Sequence, residues 1–118
     1  MHSKNIIHKD IKPENIVLVK NVNSIEEIKD IQIKFIDFGI SMDLSKENEL
    51  DTENIFGTLM YMPPESMMGT IHLSWDIWSC GVICYILATR KAPYYQGLNN
   101  EEMCALIRRA KINRARKF

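Results

Sequence analysis

His8-Lys9-Asp10-Ile11-Lys12-Pro13-Glu14-Asn15 is the stretch on which the reading of this chain turns. An acid, a cation and an amide stand within six positions, Asp10 to Asn15, on a turn rather than in a regular helix. One such loop can serve a hydroxyl, a phosphate and a metal ion together. Transfer of a phosphoryl group asks little covalent chemistry of a protein; it asks for positioning and for neutralisation of charge. Asp10 can orient an attacking hydroxyl and accept its proton, Lys12 can pair with a γ-phosphate, and Asn15 can give a hard oxygen to magnesium.

Further along, Asp37-Phe38-Gly39 ends a β-branched run, where a carboxylate can chelate magnesium between phosphates and the glycine permits a sharp turn. Ile16 to Val19 and Ile31 to Phe38 read as a strand pair, and the polar span from Lys20 to Asp30 between them reads as a solvated insertion. Ser41 to Thr58 is charged and without apolar periodicity, as a surface loop is. Pro63 and Pro64 punctuate the chain ahead of Glu65, and the next helix is expected later. From Ser74 to Thr89 the sequence is apolar nearly all round, which predicts a helix buried on most sides. A second, surface helix starts at Asn99 or Asn100, with Glu101 and Glu102 in its first turn and Met103, Leu106, Ile107 and Ala110 on one face.

Composition narrows the classes. The 118 residues carry 15 Lys and Arg against 15 Asp and Glu, so no net field draws the chain to nucleic acid or an anionic membrane. Three cysteines, an odd number, make no disulfide framework and suit a reducing, cytoplasmic setting. The run from Ile77 to Ala88, broken by Ser79 and Gly81, falls short of the roughly 20 residues of a membrane span. Cys80 and Cys84 share a helix face shortly after His72, a spacing zinc can use, yet free cysteine on an apolar helix is ordinary packing. The basic ending at Arg114, Arg116 and Lys117 carries no aromatic platform motif of an RNA-binding module and reads as a loop.

Taken singly, Asp10 reads as a solvated loop carboxylate and Asp37-Phe38-Gly39 as a turn. Their order and company change that reading. HKDIKPEN, IDFG, GTLMYMPPE and DIWSCGVICYIL follow one another along nearly the whole chain, and together they resemble the catalytic loop, metal-binding motif, activation-segment ending and central helix of eukaryotic-type protein kinases. The resemblance implies an α+β, mainly α, fold: a truncated kinase large lobe with a short β-hairpin and a buried central helix, residues 1–118 forming one partial domain. It implies Asp10 as catalytic base, Lys12 as phosphate contact, Asn15 and Asp37 as magnesium ligands, and ATP as phosphate donor. It implies too that Thr58 hydrogen-bonds Asp10 and Lys12, that Asp76 holds the backbone near His8, and that His8 packs on Phe38. Lys12 and the Gly57-Thr58 pair are typical of kinases acting on Ser/Thr hydroxyls of proteins, and Glu14 resembles an acid that reads arginine in the substrate.

The chain also departs from the pattern. No glycine-rich loop and no strand lysine paired with a helix glutamate is present in the sequence, so turnover by these residues alone is not expected. Glu65 lacks the arginine that partners it in the family, and an open lobe of this kind is expected to expose apolar surface. Lys9 stands where the family has an arginine that receives a phosphorylated loop, and an ammonium is the poorer phosphate clamp. With Asn54 near the usual phosphosite and Asp51 and Glu53 beside it, activity without phosphorylation at Thr52 is expected. WSCGVICYIL with APYYQG is similar to the calcium-dependent kinases, although no D-x-D-x-D-G calcium loop occurs in the sequence. The rival reading is a non-catalytic, protein-binding kinase-like fragment; retention of Asp10, Lys12, Asn15 and Asp37 argues for an enzyme as the parent protein, while the missing small lobe argues that these residues alone are not one.

Overall fold

Short β-branched runs make short strands, and four of them pair two by two in the computed structural model, which describes residues 1–46, 57–93 and 99–115, the last of these as backbone alone from 110 onward. Strand β1 (Ile6–Ile7) runs antiparallel to β4 (Met42–Asp43), with Ile7 opposite Met42. Strand β2 (Ile16–Leu18) runs antiparallel to β3 (Ile33–Phe35), with Ile16 opposite Phe35. The expected strand over Ile31 to Phe38 is thus trimmed at both ends. The insertion between β2 and β3 is exposed, with Ile25 80 % accessible, and Glu26–Asp30 winds into a 3-10 turn.

Pro64 opens another 3-10 turn, Pro64–Met68, at the first position, where a missing N–H costs nothing. Helical structure therefore begins earlier than the two prolines suggested. Pro63 before it is extended, at φ −73° and ψ 152°. Gly69 ends the turn at φ 79°, a left-handed conformation that glycine takes without a Cβ clash. Helix α1 (Ser74–Thr89) follows, its Ser74 N–H donating to His72 Nδ1 and its end closed by left-handed Arg90. Helix α2 (Asn100–Ala115) is entered through a reciprocal cap: Glu102 N–H donates to Asn99 Oδ1 and Asn99 N–H to Glu102 Oε2, both at 2.9 Å. Met103 and Ile107 on one face of α2 are buried, and α2 packs on the Pro64–Met68 turn.

The core is Ile7, Met62 and Trp75, with Met42, Leu44, Leu59, Met67, Ile71 and Leu73 around it. Each fully buried side chain of this kind stabilises by about 2 kcal/mol. The core joins β1, the 59–62 turn and the start of α1, the three elements that flank the catalytic-loop motif.

One expectation is corrected. Helix α1 is not buried on most sides: Trp75, Asp76, Ser79 and Val82 are its buried residues, while Ile77, Tyr85 and Leu87 are 64 %, 47 % and 75 % accessible. Among the described residues nothing covers the outer face, and a groove of about 530 Å³ lies along it between Glu65, Ile77, Trp78, Val82, Tyr85 and Pro93. Uniform apolarity along a helix says that several faces want cover, without saying which are covered. Among the described residues no helix is long and apolar enough to cross a membrane.

Candidate active site

Asp76 is where the site is built from. In the first turn of α1 its carboxylate favours the helix N-terminus, yet it is 1 % accessible and needs partners of its own. It has three. His8 N–H donates to Oδ2 and Lys9 N–H to Oδ1, each at 3.0 Å, and His2 Nε2 reaches Oδ2 at 2.7 Å. Two consecutive backbone amides are thereby clamped to one carboxylate. The clamp explains how Lys9 holds a left-handed φ of 69°, which a lone lysine in solution avoids.

His8, fully buried, carries the order forward. Its Nδ1 accepts from the Asp10 N–H at 3.2 Å, which leaves Nε2 with the proton to donate to the Ile36 carbonyl at 3.0 Å. Its ring lies 4.7 Å from that of Phe38. One neutral imidazole thus ties the acid's backbone to the strand end that precedes Asp37.

Four of the five sequence-derived site residues meet in one network. Thr58 Oγ1 donates to Asp10 Oδ1 at 2.9 Å and accepts from Lys12 Nζ at 2.9 Å. Lys12 Nζ also lies 3.2 Å from Asp10 Oδ2. Asn15, buried, donates its side-chain amide to the Asp10 carbonyl at 2.9 Å and to Asp10 Oδ2 at 3.1 Å. With Nδ2 so occupied, Oδ1 is the oxygen Asn15 has left to offer a cation. The Pro13–Asn15 3-10 turn, closed by Asn15 N–H to the Lys12 carbonyl at 2.9 Å, sets these spacings.

Asp37 stands outside that network. It is linked to it through the hairpin, where Ile36 N–H donates to the Asn15 carbonyl at 2.9 Å, and its own carboxylate accepts from Gly39 N–H at 3.2 Å. The sharp turn expected of Gly39 is made by Asp37, at φ 59°. A Cβ at Gly39 would lie 3.1 Å from Asp37 Oδ1, so a side chain there would make the Asp37 carboxylate shift by a few tenths of an ångström. Among the described residues no group of three His, Cys, Asp or Glu side chains could hold a metal alone, and Cys80, Cys84 and Cys104 are free thiols.

Burial pushes the Tyr61 phenol up, with the Glu14 carboxylate adding to the effect and Lys12 opposing it, so Glu14 and Lys12 both act on this side of the loop. Burial lowers the Lys9 ammonium. Asp51, Thr52, Glu53 and Asn54, the Tyr94 to Gly97 motif, and Arg116 and Lys117 lie outside the described residues, as do the side chains of Ala110 and Arg114.

Two contributors escaped the sequence reading. His2, in the first 3-10 turn, drew no reading; Ser79, inside an apolar run, looked like an interruption. Ser79 Oγ in fact donates to the Tyr61 carbonyl at 2.8 Å and fastens α1 to the turn after Thr58. Only the polarity of Ser79 amid apolar neighbours signalled it.

Residues 1–117 match the protein kinase domain family, and the chain belongs to that family. It is 38 % identical over 94 % of its length to calcium-dependent protein kinase 4 of Plasmodium berghei, of which it covers 20 %. It is 37 % identical over 94 % of its length to calcium-dependent protein kinase 5 of Plasmodium falciparum, covering 18 %, and 41 % identical over 80 % to an Aurora kinase of Debaryomyces hansenii, covering 21 %. The chain thus spans about a fifth of the length of these relatives.

Proposed function

We propose that these residues are the phosphoryl-transfer part of a serine/threonine protein kinase, within its large lobe. The observation that carries this reading is the single hydroxyl of Thr58 joined at 2.9 Å to both Asp10 and Lys12, which fixes an acceptor for a substrate proton beside a cation for a phosphate. Asp10 orients the Ser or Thr hydroxyl and accepts its proton; Lys12 meets the γ-phosphate of ATP; Thr58 holds the two at fixed separation. Asn15 Oδ1 and the Asp37 carboxylate are hard oxygen donors that suit magnesium, which is content with one or two protein oxygens beside phosphates and water. Magnesium, when bound, neutralises charge on the phosphates. Exposed Glu14 offers a carboxylate for an arginine in the substrate.

On this reading residues 1–118 form a partial domain, and the nucleotide's adenine side is held by residues outside them, so the isolated chain does not turn over. The second reading, a non-catalytic protein-binding fragment, is favoured by one observation, the open apolar groove on α1.

The test is phosphate transfer by the full-length gene product to Ser/Thr peptides with and without upstream arginine. Asp10→Asn is expected to lower the rate by about a hundredfold to ten-thousandfold. An unchanged rate would remove Asp10 as base, and no transfer by the wild-type product would favour the binding fragment.

A further inference from the structure

The proposed reaction leaves Lys9 and Met42 unused, and the structure brings them together. The Lys9 side chain turns inward: the residue is 4 % accessible, and its Nζ donates toward Met42 Sδ at 3.3 Å while lying 5.5 Å from the centre of the Trp75 ring. A thioether sulfur is a weak acceptor and an aromatic face a modest one, so these contacts answer the ammonium poorly. Met42 keeps part of its surface open, unlike Met62 at 1 % and Met103 at 9 %. It sits on β4, whose pairing with β1, with the bond from Leu44 N–H just beyond it to the Asn5 carbonyl at 2.8 Å, attaches the stretch after Asp37 to the strand that leads into the catalytic loop.

We propose that Met42 is a methionine-oxidation site whose sulfoxide is held by Lys9, a redox-responsive fastening of β4 to the catalytic loop. The oxidant is a peroxide. A sulfur lone pair attacks one peroxide oxygen and the O–O bond breaks. The departing hydroxide takes the proton from the oxygen now on sulfur and leaves as water. Sulfur loses two electrons and the peroxide gains them. The new sulfoxide oxygen is a strong acceptor within reach of the Lys9 ammonium, replacing a weak contact by a charge-assisted hydrogen bond. Burial's lowering of the Lys9 ammonium, noted above, is relieved by such a partner. Reduction of the sulfoxide restores the starting state.

The experiment is treatment of the full-length gene product with dilute hydrogen peroxide, peptide mass spectrometry to place the added oxygen, and amide hydrogen exchange at residues 6–7 and 42–44. Met42 is expected to gain one oxygen, and exchange of those amides to slow by about tenfold, the scale of one added charged hydrogen bond. Met42→Gln, which supplies a carboxamide oxygen without oxidation, should slow exchange in the same direction. Lys9→Leu should abolish the slowing on oxidation. A Met42 that stays unoxidised, or exchange that quickens on oxidation and in Met42→Gln alike, would overturn the proposal. Should Lys9→Leu fail to fold, Met42→Gln in the otherwise unaltered chain still decides it.

Discussion

The polar cluster around Asp76 and the outer face of α1 are built from the same helix and obey opposite rules. On the inner side Asp76 is closed off from water with its carboxylate bonded to His2, His8 and Lys9, and the loop it holds is polar and ordered. On the outer side Ile77, Tyr85 and Leu87 are apolar and open. The polar side is held by directional bonds made within the described residues, and a buried polar group left without such a bond costs about 1–3 kcal/mol. The apolar side has no directional demand, so among the described residues the same helix carries it uncovered at a cost only in exposed surface.

The largest effect separating the two sides is expected at Asp76. Asp76→Ala leaves two buried amides and a histidine without their acceptor and should destabilise the chain by about 3 kcal/mol or more, read as a lower urea midpoint. Thr58→Val, which removes the hydroxyl between Asp10 and Lys12 at nearly constant volume, should cost about 1 kcal/mol in the same assay. Leu87→Ser, on the open face, should change stability by less than about 0.5 kcal/mol, and a larger loss would mean that the face is covered in solution.

The smallest effect is a pH dependence from Lys9. Burial lowers its pKa in the folded chain, so between the folded and the ordinary lysine value the unfolded chain binds more protons and stability rises with pH. Below the folded value both states are protonated and the burial penalty is constant. Tyr61, raised by burial, works the other way at alkaline pH, because the folded chain keeps that proton longer. The difference between wild type and Lys9→Met in urea midpoint across the alkaline range isolates Lys9, and it should grow in favour of the wild type as pH rises.

What could be read from the sequence follows the range of the interactions. Asp10, Lys12 and Asn15 lie within one turn, so their chemistry was visible as a local pattern, and a helix start at Asn99 or Asn100 was visible in the same way, with the choice of Asn99 left to the structure. Thr58 and Asp76 are 48 and 68 positions from their partners Asp10 and His8, beyond any periodicity, and only the family resemblance linked them. His2 carried no signal because a histidine in a short turn has many uses. The outer face of α1 was misjudged because an all-apolar helix has no moment to point its buried side. The left-handed turn at Asp37 was assigned to Gly39 because glycine is the usual carrier of positive φ, although aspartate also tolerates it.

The central claim is that Asp76 holds the loop from His8 to Asn15 in place within the described part of the chain. Amide hydrogen exchange of His8 and Lys9, followed residue by residue, tests it most directly. The account predicts exchange slower by about a hundredfold or more at these two amides than across residues 25–30 of the exposed insertion, as expected of amides that open only with a cooperative unit. Equal exchange at the two places would contradict it.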